Sequence, residues 1–346
     1  MTILQAPPTA HDASRVANIV ANVARSLLGL IDDRGLSPER LCRGLGFTYQ
    51  DLQDREVLLS HHQTRSLILR AQATLAESAL GLAAGARQTP VSWGLPGLAM
   101  LTCETFGEAI SYGLGHQNEA GAMMHHLFEV HGREMYIELV PRIYDLEIEP
   151  YLIEEAFASA LNVSRYLVGT DLSPVRVELA YPAPETLEPH ARFFRCPVHF
   201  SAGCNRLTLE SRWMGVRLPG YDRITCGLLR KQLNTLLQRP LGRHELVESI
   251  TTRLRVSAEG LPRQSDLARQ VNLSERTLRR RLQAQSVGFR ALRNDARFER
   301  AKDMLLNSRV AISEVAQAVG YADVRTFRRA FKRWSGQAPL EYRNSH

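Results

Sequence analysis

Ser313-Glu314-Val315-Ala316-Gln317-Ala318-Val319-Gly320, followed five residues later by Thr326-Phe327-Arg328-Arg329-Ala330-Phe331, decides how the last third of this chain folds. An earlier stretch repeats it. Ser265-Asp266-Leu267-Ala268-Arg269-Gln270-Val271-Asn272 aligns at an offset of 48, and Thr277-Leu278-Arg279-Arg280-Arg281-Leu282 at an offset of 49, one residue being inserted in the turn. Each copy predicts a short helix opened by a Ser N-cap with an acid in its first turn, which suits the helix dipole. A small Ala (268, 316) stands where two helices cross closely, and an apolar Val (271, 319) follows. The turn then falls on Asn272 or Gly320, residue types that tolerate positive φ. A second helix comes next, with Leu278 and Leu282, or Phe327 and Phe331, on its inner side.

The outer side of that second helix is arginine. Arg276, Arg279 and Arg280 stand at i, i+3 and i+4 and share one face; Arg325, Arg328 and Arg329 repeat the spacing. Like charges so placed destabilise a bare helix by roughly 0.2–0.5 kcal/mol per pair. Their recurrence points to an anionic partner, and an arginine face fits the major groove, where guanidinium pairs with guanine O6 and N7. Arg281 points elsewhere, toward phosphate or solvent. Between the copies, Leu292, Ala296, Ala301, Met304 and Leu305 form a stripe that predicts one helix over 289–307.

Charge agrees with this division. Residues 241–346 hold 21 Lys+Arg against 11 Asp+Glu, whereas the first 240 hold 22 against 25. The excess positive charge therefore sits at one end, the pattern of a nucleic-acid-binding module joined to a different kind of domain. With 346 residues, 44% of them hydrophobic, two cores are expected without disulfide or metal support. The five cysteines form no C-x-x-C pair and read as reduced, mostly buried thiols. No apolar run reaches 18 residues, and the first residues lack a signal peptide's basic and apolar regions; no membrane association and cytoplasmic residence are expected.

The rest of the chain reads as mixed α and β. Helix is predicted over 13–32, with Gly35 ending it, then from Pro38 behind Ser37 as N-cap, and over 60–85, 105–114 and 150–168. A turn falls around Val91-Ser92-Trp93-Gly94-Leu95-Pro96-Gly97. His126–Val130 and Met135–Val140 predict a hairpin around His131-Gly132-Arg133. Val175–Tyr181 reads as a strand, and Val198–Ser201 with Arg206–Glu210 as another pair. The fold class expected is an α+β N-terminal regulatory domain with a small antiparallel sheet, and an all-α C-terminal domain of two helix-turn-helix units joined by a long helix. The expected limits are 13–221 for effector binding or dimerisation, 222–243 for a connecting helix and linker (Arg239-Pro240-Leu241-Gly242), and 244–343 for DNA binding. The two helix-turn-helix units fall at about 264–283 and 312–333, and no strand is expected beyond His244.

Ile312-Ser313-Glu314-Val315-Ala316, Val319-Gly320-Tyr321, Phe327–Trp334, Gly336, Pro339, Tyr342 and Arg343 together resemble the signature of the AraC/XylS family of transcription regulators. The resemblance covers about residues 244–343. It implies seven helices, two helix-turn-helix subdomains and double-stranded promoter DNA as partner. It places base reading on Arg276, Arg279 and Arg280 in the first unit and on Val324, Arg325, Thr326 and Arg329 in the second, within a DNA-binding set that also includes Thr277 and Arg328. Asn272 departs from the glycine usual in the family. Trp93–Gly97, Thr105-Phe106-Gly107-Glu108-Ala109 and Phe193–Phe200 resemble the N-terminal domain of the branch that includes the ornithine regulator type, rather than a sugar-binding cupin barrel. That implies effector sensing or dimerisation without naming a ligand. A small-molecule effector, RNA polymerase and a homodimer are the expected partners. The alternative is a ligand-independent regulator whose first domain only dimerises or binds a protein.

Other constellations are weaker. His125, His126 and His131 lack a matching acid or Cys spacing for a metal site. Nothing orients Cys103-Glu104 as a nucleophile, and neither a P-loop nor G-x-G-x-x-G occurs. No catalytic residue, metal or cofactor is called for. Trp93 is either a pocket wall or a core residue, Trp334 packs the last helices, and Cys196 and Cys204 either pair across the strand pair or stay as thiols. Glu147, Glu149, Glu154 and Glu155 read as solvated surface.

Overall fold

The computed structural model describes residues 14–54, 57–75, 77–237, 243–244, 246–247, 250–251, 254, 262–270, 273–307 and 310–345. Contacts between backbone positions divide the chain into two compact units. One runs to residue 242 apart from Gly44–Phe47, and the other comprises those four residues with Arg243–His346. The first unit opens with two short strands, β1 (Val16–Ala17) and β2 (Ile19–Val20), ahead of α1 (Asn22–Asp33). This corrects the helix expected from residue 13. Ile19 and Val20 are β-branched, and they pair antiparallel with β3 (Leu58–Leu59), so tertiary pairing outweighs helical spacing. Between them lie α2 (Pro38–Cys42), with Pro38 at N1 behind Ser37, and α3 (Tyr49–Asp54). The helix expected over 60–85 is two, α4 (His61–Leu75) and α5 (Leu80–Gly85), parted at Ala79, whose φ is +60°.

A 3-10 turn at Pro90–Trp93 leads into α6 (Leu95–Leu101) and α7 (Phe106–Gly115). The glycines of this stretch have physical causes. Gly94 adopts φ +65°, ψ −141°, a conformation that side chains rarely accept. A Cβ on Gly97 would lie 1.8 Å from the Pro90 carbonyl oxygen. Because that obstacle is backbone, Gly97→Ala is expected to cost about 3 kcal/mol. Urea unfolding of the full chain checks this against Gly115→Ala, where nothing lies within 4 Å; equal midpoints for the two variants would rule the packing argument out.

The sheet follows. β4 (Met124–His131) and β5 (Glu134–Pro141) form the expected hairpin, tightened to a turn at Gly132-Arg133. Next come α8 (Glu149–Val168), β6 (Arg176–Glu178), α9 (Glu188–Phe194), β7 (Val198–His199) and β8 (Arg206–Glu210). Strand order is β4-β5-β8-β6-β7. β7 and β8, expected to pair with each other, do not; β7 runs parallel to β6, and β8 lies antiparallel between β5 and β6. The sheet is therefore mixed rather than antiparallel, and Cys196 and Cys204 do not face each other across a strand pair. All five cysteines are free thiols, with Cys42, Cys103 and Cys226 buried.

α8 is the axis of this unit. Tyr151, Leu152, Ile153, Phe157, Leu161 and Val163 are all buried, so the helix is covered on every side up to its last turn, where Tyr166 is exposed. α5 lies against it closely enough that a Cβ on Gly81 would sit 2.4 Å from the Tyr151 carbonyl oxygen, and one on Gly85 2.4 Å from that of Glu155. The unit ends in α10 (Arg223–Leu237). Arg230 of α10 donates to Glu108 Oε1 at 2.7 Å and lies 4.8 Å from the centre of the Tyr112 ring, tying α10 to α7. The expected linker, 239–242, lies outside the described residues.

The second unit begins with a two-residue strand, β9 (Arg243–His244), where no strand was expected, and is helical thereafter. Its described helices are α11 (Gln264–Gln270), α12 (Glu275–Ala284), α13 (Phe289–Asn307), α14 (Ile312–Ala318), α15 (Val324–Ser335) and α16 (Pro339–Ser345). Two cores form, one per repeat. Leu246, Ile250, Leu254, Leu267, Ala268, Leu278 and Leu282 build the first; Val315, Ala316, Val319, Phe327 and Phe331 build the second. α13 enters both, with Leu292 and Ala296 in one and Ala301 and Leu305 in the other. Trp334 packs against Phe298 and Tyr321, within the second core. Among the described residues no helix is long and apolar enough to cross a membrane.

Candidate nucleic-acid interface and N-terminal cavity

α12 begins at Ser274, whose side chain accepts the Thr277 N–H at 3.2 Å, satisfying one of the helix's free donors. Leu278 and Leu282 turn inward, Arg276, Arg279 and Arg280 are exposed on the opposite side, and Arg281, off that face, is exposed as well. α15 begins at Asp323. Its carboxylate accepts from Arg325 N at 3.1 Å, from Thr326 N at 2.8 Å and from the Thr326 hydroxyl at 2.6 Å. These bonds, the one from the Thr326 hydroxyl foremost, hold the Asp323 carboxyl below its ordinary range. Phe327, Ala330 and Phe331 point inward, while Arg325, Arg328 and Arg329 are exposed.

Neither cap was foreseen, although each is legible as Ser or Asp three residues before a threonine. The serine caps foreseen within the two repeats do not form. The N-cap of α14 is Ala311, and Ser313 lies inside the first turn; Ser265 likewise lies inside α11. The turn glycine holds, with Gly320 at φ +77°. Arg297 of α13 donates to the Gly320 carbonyl at 3.2 Å and covers the Tyr321 ring at 4.8 Å, fixing the turn to the joining helix. Val271 and Asn272, its counterparts in the first unit, lie outside the described residues.

Among the described residues, Arg276, Arg279, Arg280, Arg328 and Arg329 have no salt-bridge partner, and Arg325 meets only the field of the capping Asp323. Two outward faces of uncompensated positive charge thus stand on two packed cores threaded by one helix. The other residues of the predicted set differ in what they can offer. Thr277 and Thr326 are engaged in the caps. Val324 is half-buried against the second core.

The first unit holds a pocket, partly open to solvent, whose envelope with that solvent included is about 720 Å³. α1, α6, α7, β4 and α8 contribute to its wall, and Trp93 stands in that wall. The indole Nε1–H donates to Gln88 Oε1 at 2.9 Å and to Ser159 Oγ at 3.1 Å. Gln88 in turn donates its Nε2–H to Glu155 Oε1. Glu154 and Glu155, expected on the surface, are therefore both buried, at 7% and 5% exposure. Glu154 accepts from the Tyr181 hydroxyl at 3.0 Å and lies 2.9 Å from His190 Nε2. An acid pair inside an apolar 20-residue helix was the signal that could have found them.

Burial alone pushes the Glu155 carboxyl up to about 8, and burial likewise pulls the His126 imidazole down to about 4. The consequence of the first shift has a definite sign. Between an unfolded value near 4.5 and about 8 the folded chain binds the extra proton, so stability drains away as pH rises through that window. Glu155→Gln removes this loss. Its melting temperature, compared with the unchanged chain at pH 5 and pH 8.5, is expected to gain ground on raising the pH; a constant difference would place the carboxyl in solvent.

Tandem helix-turn-helix units with bare arginine faces, beside a separate α/β unit holding a cavity, define a two-part DNA-binding regulator. Comparison with known proteins agrees. The model of the arabinose-binding N-terminal domain of the AraC transcription regulator matches residues 35–218, and that of a helix-turn-helix domain matches 267–345. The chain belongs to the AraC family of transcription regulators. It is 29% identical over 329 residues to an uncharacterized HTH-type transcriptional regulator of Mycobacterium tuberculosis, covering 92% of this chain and 94% of that one. It is 26% identical over 322 residues to the ornithine utilization regulator of Pseudomonas aeruginosa, covering 93% and 95%. The crystal structure of the transcriptional regulator CdpR from Pseudomonas aeruginosa aligns at a TM-score of 0.46 and 24% identity over 93% of this chain and 98% of that one.

Proposed function

We propose that this regulator reads promoter DNA with α12 and α15 in successive major grooves, and that a small molecule in the N-terminal cavity modulates it. The observation that carries the reading is α13. It contributes to both cores and so fixes the two arginine faces on one rod. Nineteen residues at ~1.5 Å each span roughly 28 Å, close to the ~34 Å between major-groove entries on one face of a duplex. Base reading falls to Arg276, Arg279 and Arg280 in the first groove and to Arg325 and Arg329 in the second. Thr326 supports α15 through its cap, and Val324 offers only its outer methyl surface to a thymine. Arg281 and Arg328 take phosphates. The chain divides in function at 13–221 (regulation and dimerisation), 222–243 (connection) and 244–343 (DNA). The protein works as a cytoplasmic homodimer in contact with RNA polymerase, and it performs no catalysis.

Footprinting of the full-length protein on genomic DNA at two salt concentrations tests this. The expected result is a shared motif of two short blocks about one helical turn apart. Log affinity should fall against log salt with a slope of about −0.9 for each phosphate neutralised. Bound fragments without a common motif at either salt would mean that the arginines only neutralise phosphate.

A further inference from the structure

We propose that the N-terminal cavity is built for an amine: a small, largely apolar molecule carrying one protonated amino group, which ion-pairs with Glu155. This rests on the reading of the cavity as an effector site and names the chemistry of what it holds.

Most of the wall is apolar, formed by residues such as Met100, Ile110, Met123, Ile137, Leu152 and Val163. Five of the lining residues, Asn22, Gln88, Trp93, Ser159 and Glu155, form one connected hydrogen-bonded chain, while Gln117, His126 and Ser164 also lie in the wall. Gln88 Oε1 accepts from Trp93 Nε1 at 2.9 Å and from Asn22 Nδ2 at 3.4 Å. Those two donors fix the amide, so its NH₂ end faces Glu155 and donates to Oε1. The chain therefore terminates in an acceptor. Among the described residues no lysine or arginine lines the cavity.

Glu155 and His126 are the only titratable groups among the lining residues. Around Glu155 the neighbouring elements add no cation: α5 has no ionisable side chain, α1 presents Asn22 and Val23, α7 presents Ile110, Gly113 and Leu114, and α8 adds the buried Tyr151, which feels the Glu155 charge; His126 is faced by Arg142 and His125, both of which hold its imidazole down. Burial keeps the His126 imidazole neutral above about pH 4, and its Nδ1 has no hydrogen-bond partner. A buried carboxylate with one amide donor and no cation is poorly stabilised, and an ammonium supplies the missing charge. The same inventory excludes other classes. A carboxylate or phosphate finds no cationic side chain among the lining residues, Arg142 being bonded behind them to Met124, Asn118 and Gln117, and a largely apolar wall leaves most of a sugar's hydroxyls unpaired.

Binding of a cation requires Glu155 to ionise. Affinity for an amine should therefore rise about tenfold for each pH unit up to about 8 and then level off. The experiment titrates the full-length protein with n-hexylamine, 2-phenylethylamine, n-hexanol, hexanoate and L-arabinose. Binding is read by tryptophan fluorescence and by thermal shift, with Trp93→Phe locating the fluorescence change.

The amines are expected to bind at least ten times more tightly than hexanol at pH 8, with hexanoate and arabinose silent. Glu155→Gln should erase that preference and flatten the pH profile while leaving hexanol binding unchanged, which shows that the variant is folded. Equal affinity for amine and alcohol, a preference for hexanoate or arabinose, or a preference for amines that survives Glu155→Gln overturns the amine assignment and leaves the cavity standing as an effector site. Failure of every probe to bind the unchanged protein overturns the assignment and counts against the effector-site reading as well.

Discussion

Phe331→Ala lowers the local stability of the second helix-turn-helix by about 3–5 kcal/mol, the usual range for emptying a phenylalanine site in a core. Phe331 is fully buried. Its ring centre lies 5.4 Å from that of Phe298 on α13, 5.7 Å from Phe327 and 5.5 Å from Tyr342 on α16. One side chain thus joins the reading helix to the joining helix and to the last helix. The loss is best read by hydrogen exchange of amides in α14 and α15, because a chain of two units need not unfold in one step. Among the described residues the first core shares only α13 with the second, so amides in α12 should keep most of their protection. A change below about 1 kcal/mol would show that the site collapses without a cavity. With α15 loosened, the footprint should shrink to the block read by α12.

Arg279→Ala and Arg329→Ala each weaken operator binding by about 1–3 kcal/mol, roughly fivefold to more than a hundredfold, if each guanidinium reads a base. Both side chains are exposed and lack a salt-bridge partner among the described residues, so their removal leaves the fold of either core intact. They stand on separate cores, and their effects should add in the double variant. Salt dependence separates the roles. Loss of a base contact relaxes specificity at one position with little change in slope, whereas loss of a phosphate contact reduces the slope by about 1 and weakens all sequences alike. Wild-type affinity and footprint in both variants would remove these two residues from the interface.

The repeat was the most legible part of the chain. A Leu/Phe inner face set against an arginine outer face is a property of spacing along one helix, and α12, α13 and α15 lie where that spacing puts them. The caps were read less well. Ser265 and Ser313 look like N-caps in isolation, but the helices begin one or more residues earlier, and Ser274 and Asp323 cap the reading helices instead. Which polar residue caps depends on where the preceding turn releases the chain. In the first unit, hairpin and helices were visible as local patterns, whereas the pairing of β7 with β6 rather than β8 was not. Pairing joins residues remote in sequence, and no local period records it.

By itself the sequence determined the tandem repeat, the two arginine faces and the helix that links them, because each follows from 3.6-residue periodicity and side-chain chemistry within a short window. Only the tertiary structure decided where Glu155 lies. Two adjacent glutamates on a helix look like solvent-facing residues until α5 closes against α8 through Gly81 and Gly85 and the cavity-lining elements pack around the remaining sides. Burial then changes the chemistry of the carboxyl group, since the free energy of a charge depends on what surrounds it more than on its neighbours in the chain.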